Sequence, residues 1–128
     1  MAMTVQQAIQ RAEALLPGSP APEGEDHRWL AIIGIAEFVE TNPEELWTFV
    51  NRWGSHSQED LRDAIATCLL EHLLEWHFDP MFPRVEQAAQ NSPLFADTFR
   101  RCWKLGQAEL PENAARFDAL RQLCDAAR

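Results

Sequence analysis

Helix-start signals recur along this chain and constrain its fold more than any other feature. Asn42-Pro43 precedes two glutamates, and Ser92-Pro93 repeats the order of cap and proline 50 residues later. Asn and Ser side chains accept hydrogen bonds from the free N–H groups of a first helical turn, and proline fits the first helical position. Thr4 and Gln7 have the spacing of a capping box. No segment has the alternating pattern of a β-strand, so the sequence predicts an all-α fold.

Apolar residues at helical spacing divide the chain into about seven helices. The predicted helices cover residues 4–16, 26–41, 43–54 and 58–78, followed by helices after Pro83, from Ser92 to Gly106 and after Pro111. The helix over 58–78, capped by Ser57, has apolar residues around most of its circumference, so we expect it to be the most buried element. A glycine inside a helix indicates close packing, so we expect a neighbour to approach Gly34.

The domain organisation follows from one change in composition. Residues 17–25 are rich in proline and glycine, which predicts a flexible linker. The expected order is an N-terminal helix over residues 1–16, the linker over 17–25 and a helical-repeat domain over 26–128. A length of 128 residues suits one domain with a single core.

An internal repeat emerges when the chain is aligned with itself at a shift of 50 residues. Eight residues are then identical, including the helix-start proline and two aromatic residues. The identical residues are Pro43, Thr48, Phe49, Trp53, Glu59, Ala64, Leu70 and Leu73, each matched by the same residue 50 positions later. This pattern predicts two copies of a three-helix unit in a HEAT- or armadillo-like stack.

Negative charge is concentrated in one part of the chain. The net charge is −9, and residues 37–79 contain ten acidic residues against Arg52 and Arg62. Such a charge disfavours nucleic-acid and anionic-membrane binding and favours a protein partner with a basic surface. The candidate partner-binding residues are Glu37, Glu40, Glu44, Glu45, Glu59, Asp60, Asp63, Glu71 and Glu75.

The cysteines and the apolar segments indicate the compartment. Cys68, Cys102 and Cys124 form no C-x-x-C pair, so we expect free thiols in a reducing cytoplasm. No secretory signal is visible in the first residues, and no apolar run approaches the ~20 residues that span a membrane. We therefore expect a cytoplasmic protein.

Few residues have the spacing that catalysis requires. Cys68, His72 and Glu75 are compatible with a metal site on the fourth helix, and the opposing interpretation places His72 within a helix contact, between Leu61 and Ile65. Gly54-Ser55-His56-Ser57 follows no strand, so it does not fit a nucleophile elbow. We therefore predict no catalytic residues and no cofactor.

Four short sequence pieces between about residues 42 and 104 resemble an uncharacterised family of bacterial proteins. The pieces are Pro43-Glu44…Trp47, Leu70-Glu71-His72-Leu73-Leu74…His77, Phe82…Val85-Glu86…Ala89 and Pro93-Leu94-Phe95…Trp103. The resemblance is to an all-helical domain of unknown function with HEAT- or armadillo-like repeats. Some similar small acidic proteins are suspected immunity proteins against bacterial toxins, which is what the resemblance implies here.

The leading hypothesis is a non-enzymatic acidic protein-binding module, specifically an immunity- or inhibitor-like protein that neutralises a bacterial toxin or enzyme. The first alternative is a metal-dependent enzyme that uses Cys68, His72 and Glu75. The second alternative is a structural homodimer with exposed Trp47 or Trp76 at its interface.

Overall fold

Helices account for nearly all regular structure in the computed structural model, which describes residues 2–19 and 24–127. The helices are α1 (Val5–Leu15), α2 (His27–Ala36), α3 (Pro43–Trp53), α4 (Glu59–Ile65), α5 (Glu71–Trp76), α6 (Phe78–Asn91), α7 (Pro93–Arg100) and α8 (Pro111–Ala126). A π-helical segment, Ala66–Leu70, joins α4 and α5 into one continuous helix, and a 3₁₀ turn, Gly106–Glu109, precedes α8. The described residues thus contain seven helices and no strand, which confirms the all-α prediction.

Thr4 and Ser92 cap their helices as the sequence predicts, whereas the Asn42 side chain makes no cap hydrogen bond at the start of α3. The Thr4 hydroxyl accepts the Gln7 N–H at 3.1 Å, and the Gln7 side chain accepts the Thr4 N–H at 2.9 Å, which completes the capping box. Ser92 caps α7 by accepting the Phe95 N–H at 3.2 Å. Prolines occupy the start of three helices, at Pro43, Pro93 and Pro111. Local chemistry therefore determines most helix starts.

Several helix boundaries differ from the prediction, among them the end of α7 at Arg100 rather than at Gly106. Helix α2 ends at Ala36 rather than at Thr41, because the N–H groups of Phe38 and Val39 make tight i→i−3 hydrogen bonds in place of the α-helical pattern. Helix α6 begins at Phe78 rather than after Pro83, because the chain breaks at His77 and not at the prolines. Pro80 lies in the first turn, where backbone N–H groups have no intrahelical partner, whereas Pro83 lies inside α6.

The prediction of close packing at Gly34 is wrong. No atom lies within 4 Å of the position that a Cβ would occupy there. Glycines that do meet a neighbour lie at Gly18, beside Arg28, at Gly54, beside Phe95, and at Gly106, beside Glu75. The close approaches therefore occur at the ends of helices rather than inside α2.

The core lies between all the helices, and α1 is part of it. Val5, Ala8 and Ala12 of α1 are buried against α2. The largest fully buried side chains include Phe78, Phe82, Phe99 and Phe117, whose rings contact one another across α6, α7 and α8. Phe95 is also fully buried and packs against Trp47 of α3. Residues 20–23 of the predicted 17–25 linker lie outside the described residues, so its flexibility stays a prediction.

The internal repeat is visible in helix starts but only partly in burial. Pro43 and Pro93 begin α3 and α7, and Phe49 and Phe99 are both buried. Trp53, by contrast, is 7 % exposed, whereas its counterpart Trp103 is 72 % exposed. The HEAT- or armadillo-like arrangement therefore stays a prediction.

Candidate partner-binding surface

The π-helical segment determines which side chains of α5 face the core. A π turn holds one residue more than an α turn, and each residue of an α-helix advances about 100° around the axis. The residues after Leu70 are therefore rotated by about one position. Leu73 is fully buried, while His72 is half-buried at the surface. The prediction that His72 lies within the apolar face, between Leu61 and Ile65, is wrong for this reason.

The same rotation places Glu71 against the protein interior. Its side chain is 9 % exposed, and its Oε2 accepts the backbone N–H of Trp103 at 2.9 Å. Burial raises the pKa of Glu71 above its ordinary value, because a carboxylate loses hydration there, and the Trp103 hydrogen bond offsets part of this effect. Glu71 therefore fixes the loop after α7 and does not belong to an exposed acidic face.

The loop from Trp103 to Gln107 runs along α5 and is held at several points. Gly106 has a φ of +53° and lies against Glu75, where a Cβ would come within 2.9 Å of the Glu75 carbonyl oxygen. Gln107 donates from its amide to the Trp76 carbonyl at 2.7 Å and accepts the Phe78 N–H at 2.9 Å. The loop backbone is thereby fixed next to the end of α5.

The alternative metal ligands do not converge as a set. His72 Nδ1 lies 2.8 Å from Glu75 Oε1, so these two side chains are paired with each other. Cys68 is half-buried, and burial raises the pKa of its thiol, which disfavours the thiolate that binds metals. Within residues 2–19 and 24–127, no group of three or more His, Cys, Asp or Glu side chains has the geometry of a metal site.

Arginines from neighbouring helices pair with four of the candidate acidic residues. Glu44 receives two hydrogen bonds from Arg84, at 2.5 and 3.0 Å, and these lower its pKa. Glu59 lies 2.9 Å from Arg101, which also approaches Asp63 at 3.7 Å. Asp60 pairs with Arg28. These contacts neutralise much of the charge that the sequence assigns to α4.

Basic side chains on and just after α7 are also paired with acidic residues. Arg100 contacts Asp97 at 3.2 Å and Asp125 at 2.5 Å, and Lys104 contacts Asp118 at 2.8 Å. Burial of Asp97 raises its pKa, but hydrogen bonds from Arg101 and Arg62 outweigh this and lower it. These basic side chains therefore connect helices of the same chain.

Five acidic side chains lie on segments that meet near His77, and we term them the acidic corner (Glu37, Glu40, Glu44, Glu45 and Asp79); of these, Glu44 alone forms an ion pair within the described residues. His77 Nε2 donates to the Val39 carbonyl at 2.8 Å, so the turn with Glu37 and Glu40 lies beside the start of α6. The Glu44–Arg84 pair brings the start of α3 to the same helix. Residues 37–45 and 77–84 thus carry five carboxylates and one arginine.

The acidic corner is accessible. Glu37, Glu40, Glu44 and Asp79 are exposed, and Glu45 is half-buried. Glu45 and Asp79 lie in first helical turns, where the helix dipole favours acids. Glu37 and Glu40 lie in a turn and make no ion pair with any residue of the described chain, so no structural role accounts for them.

Exposed aromatic side chains form a second surface feature, which the sequence predicts only in part. Trp103 is 72 % exposed and Trp76 is 46 % exposed. The repeat pattern places Trp103 in a helix, but α7 ends at Arg100, and no sequence signal marks that early end. Trp47, the other predicted interface tryptophan, is half-buried and packs edge-on against Phe95 at 5.9 Å.

Other sequence candidates have simple structural roles. His56 Nδ1 accepts the Gln58 N–H at 3.1 Å, and its ring packs on Trp53 at 5.7 Å. Gln58, rather than Ser57, is the cap residue of α4, and Ser57 is exposed. This loop therefore brings no base to a serine hydroxyl. None of the helices in the described ranges is long and apolar enough to cross a membrane.

Comparison with known proteins assigns the chain to a family. The model of DUF6869, a family of unknown function, matches residues 18–123. The chain belongs to this family. The match begins before α2 and extends into α8, and it contains all four sequence pieces that carry the resemblance. Neither the curated proteins nor the solved structures provide a match. DUF6869 membership therefore assigns a domain and leaves its activity to be inferred from the surface.

Proposed function

We propose that this DUF6869 chain is a non-enzymatic protein-binding module that recognises a partner with a basic surface. The acidic corner is the observation that carries this proposal. Its five carboxylates are accompanied by one arginine, and Glu37 and Glu40 are exposed without a structural role. Binding to a basic partner gives these charges a function.

The pairing of the other acidic residues narrows the binding surface. Glu59, Asp60 and Asp63 already face arginines of their own chain, and Glu71 is buried. Recruiting them to a partner would require breaking those contacts. The proposal therefore rests on the acidic corner rather than on all nine acidic residues that the sequence indicates.

Electrostatic attraction gives the acidic corner a specific kinetic role. Like charges grouped on a surface create a potential that accelerates encounter with an oppositely charged partner. Salt screens this potential, with a Debye length of about 10 Å at 0.1 M. Fast and salt-sensitive association is therefore the expected signature.

The proposed biological role is that of an immunity- or inhibitor-like protein that covers a basic surface of a bacterial toxin or enzyme. The resemblance to suspected immunity proteins supports this role, and so does a helical fold that presents a fixed acidic edge. The proposed location is the bacterial cytoplasm, which suits the free thiols of Cys68, Cys102 and Cys124.

The test compares three bait proteins in an extract of the native host. The baits are the wild-type chain, Glu37→Lys/Glu40→Lys, and the matched control Glu25→Lys/Glu112→Lys. Both variants change the net charge equally, and all four positions are exposed. We expect a basic protein to be captured by the wild type and by the control but not by the corner variant. Equal capture by all three baits would contradict the proposal.

A further inference from the structure

A cleft between α3 and α6 is lined mainly by uncharged polar side chains, and we term it the polar cleft. Its volume is about 390 Å³, within the range of roughly 300–1,000 Å³ that is typical of small-molecule sites. On one side, α3 and the turn after it contribute Trp47, Asn51 and Ser55, which lie four residues apart and all face the cleft. The facing side chains of α6 are Arg84, Gln87 and Asn91.

Most polar groups of the polar cleft are not used by the fold. Asn51, Gln87 and Asn91 are exposed, and their amides form no hydrogen bond with any residue of the described chain. The same holds for the Ser55 hydroxyl. Each amide presents two N–H donors and an oxygen acceptor. The polar cleft therefore offers hydrogen bonds to a ligand without breaking contacts within the protein.

The charge in the polar cleft is already neutralised. Among the described residues, Arg84 is the one charged side chain that lines it, and it donates to both carboxylate oxygens of Glu44, at 2.5 and 3.0 Å. A charged ligand would lose hydration without gaining a free countercharge. The polar cleft therefore favours a neutral ligand.

Trp47 gives the polar cleft one aromatic wall. The residue is half-buried, and its ring is held edge-on against the buried ring of Phe95 at 5.9 Å. Gly54 packs beside the same Phe95 ring, so the end of α3 is fixed against α7. An indole at a fixed position can pack on an apolar face of a ligand while nearby amides bond its polar groups.

A sugar ring combines these two kinds of surface. A pyranose carries hydroxyls around its rim, each a donor and an acceptor, and its C–H face packs on the electron-rich face of an indole. A nucleobase would also stack on Trp47, but it presents hydrogen-bonding groups only along its flat edges, whereas the polar cleft has amides on both walls.

We propose that the polar cleft binds a free, neutral mono- or disaccharide. The C–H face of one sugar ring packs on Trp47, and the hydroxyls of the sugar bond to the amides of Asn51, Gln87 and Asn91. The inference goes beyond the proposed function and does not rest on it, because the ligand is a small molecule and no charge of the acidic corner attracts it.

Titration of the full-length wild-type chain with glucose, maltose, cellobiose and N,N′-diacetylchitobiose tests this inference. The readout is the set of indole N–H signals in two-dimensional NMR spectra, in which Trp47→Phe identifies the Trp47 signal by its loss. We expect that signal to shift in a saturable way with at least one saccharide, while the signal of buried Trp53 stays unchanged. No response to any of the saccharides, or a response to adenosine alone, would overturn the inference.

Affinity measurements on variants complete the test. Asn51→Ala and Gln87→Ala each remove one exposed amide and should each weaken binding of the responding saccharide by about two- to tenfold, the value of one hydrogen bond. The matched control is Gln90→Ala, which removes another exposed amide of α6, one that does not line the polar cleft, and it should bind like the wild type. Wild-type affinity in both cleft variants, or an equal loss in Gln90→Ala, would overturn the inference.

Discussion

Glu71 and Trp103 form a contact in which a buried carboxylate supports an exposed indole. Glu71 Oε2 accepts the Trp103 backbone N–H at 2.9 Å, while the Trp103 residue remains 72 % exposed. The π-helical segment before Glu71 makes this contact possible, because it rotates the Glu71 side chain towards the loop. The stability of the loop therefore depends on a carboxylate that is itself poorly hydrated.

The pH dependence of Glu71→Gln tests this contact. Burial raises the pKa of Glu71 above its ordinary value of 4.5, so the folded state binds this proton more tightly than the unfolded state does. Stability is then lost as the pH rises through the interval between the unfolded and the folded pKa. We expect the free energy of unfolding of the wild type to fall, relative to that of Glu71→Gln, as the pH rises from 4.5 towards neutrality.

Urea unfolding of both proteins at several pH values measures this difference. Asp26 and Asp97 have lowered pKa values, and their contributions are lost as the pH falls below 3.8. These contributions are common to both proteins and cancel in the comparison. Parallel pH profiles for wild type and Glu71→Gln would contradict the burial of an ionised Glu71.

The two tryptophans that match in the repeat should differ in their effect on stability. Trp53 is 7 % exposed and packs against Phe49 and His56, so Trp53→Ala should destabilise the fold by about 3 kcal/mol. Trp103→Ala should change stability by no more than about 0.5 kcal/mol, since its ring is exposed. Thermal and urea unfolding measure both values, and similar losses for the two variants would contradict the observed burial.

Of the arginines, Arg28 should lower the stability of the fold most when it is replaced by alanine. Its side chain is 4 % exposed, and its guanidinium contacts Asp26 at 2.9 Å, Asp60, the Pro17 carbonyl at 2.9 Å and Gln58 at 3.1 Å. Removing one partner of a buried ion pair leaves uncompensated polar groups, so Arg28→Ala should destabilise the fold by about 3 kcal/mol or more.

Arg52→Ala is the matched control for Arg28→Ala. Arg52 is 68 % exposed and pairs with Glu13 at 2.7 Å. Exposed ion pairs contribute little, so this variant should lose less than about 1 kcal/mol in urea unfolding. An equal loss in both variants would show that the burial of Arg28 does not determine its contribution.

The sequence predicts where the helices of this fold begin better than it predicts which of their side chains are buried. Helix starts depend on local groups such as those of Thr4, Ser92 and Pro93, and the structure confirms them. The orientation of α5 depends on one extra residue in a π turn, which no local pattern marks. That single residue moves His72 to the surface and Glu71 into the interior, reversing what a regular helical wheel predicts.

The candidate site shows the same difference between what the sequence predicts and what depends on helix packing. Residue counts reveal the acidic excess between residues 37 and 79, but pairing depends on which helices pack together. Arg84 and Arg101 come from α6 and from the turn after α7, far along the chain from Glu44 and Glu59. Among the nine candidate acidic residues, the three-dimensional arrangement distinguishes Glu37 and Glu40, which are exposed and lie in no ion pair within the described residues.

The association rate constant of the captured partner, measured against ionic strength, tests binding through the acidic corner most directly. For the wild type we expect the rate constant to fall roughly tenfold or more between about 0.01 M and about 1 M salt. Glu37→Lys/Glu40→Lys should start from a lower rate constant and depend less on salt, while Glu25→Lys/Glu112→Lys should follow the wild type. Identical salt dependence for all three proteins would contradict a role of the acidic corner in binding.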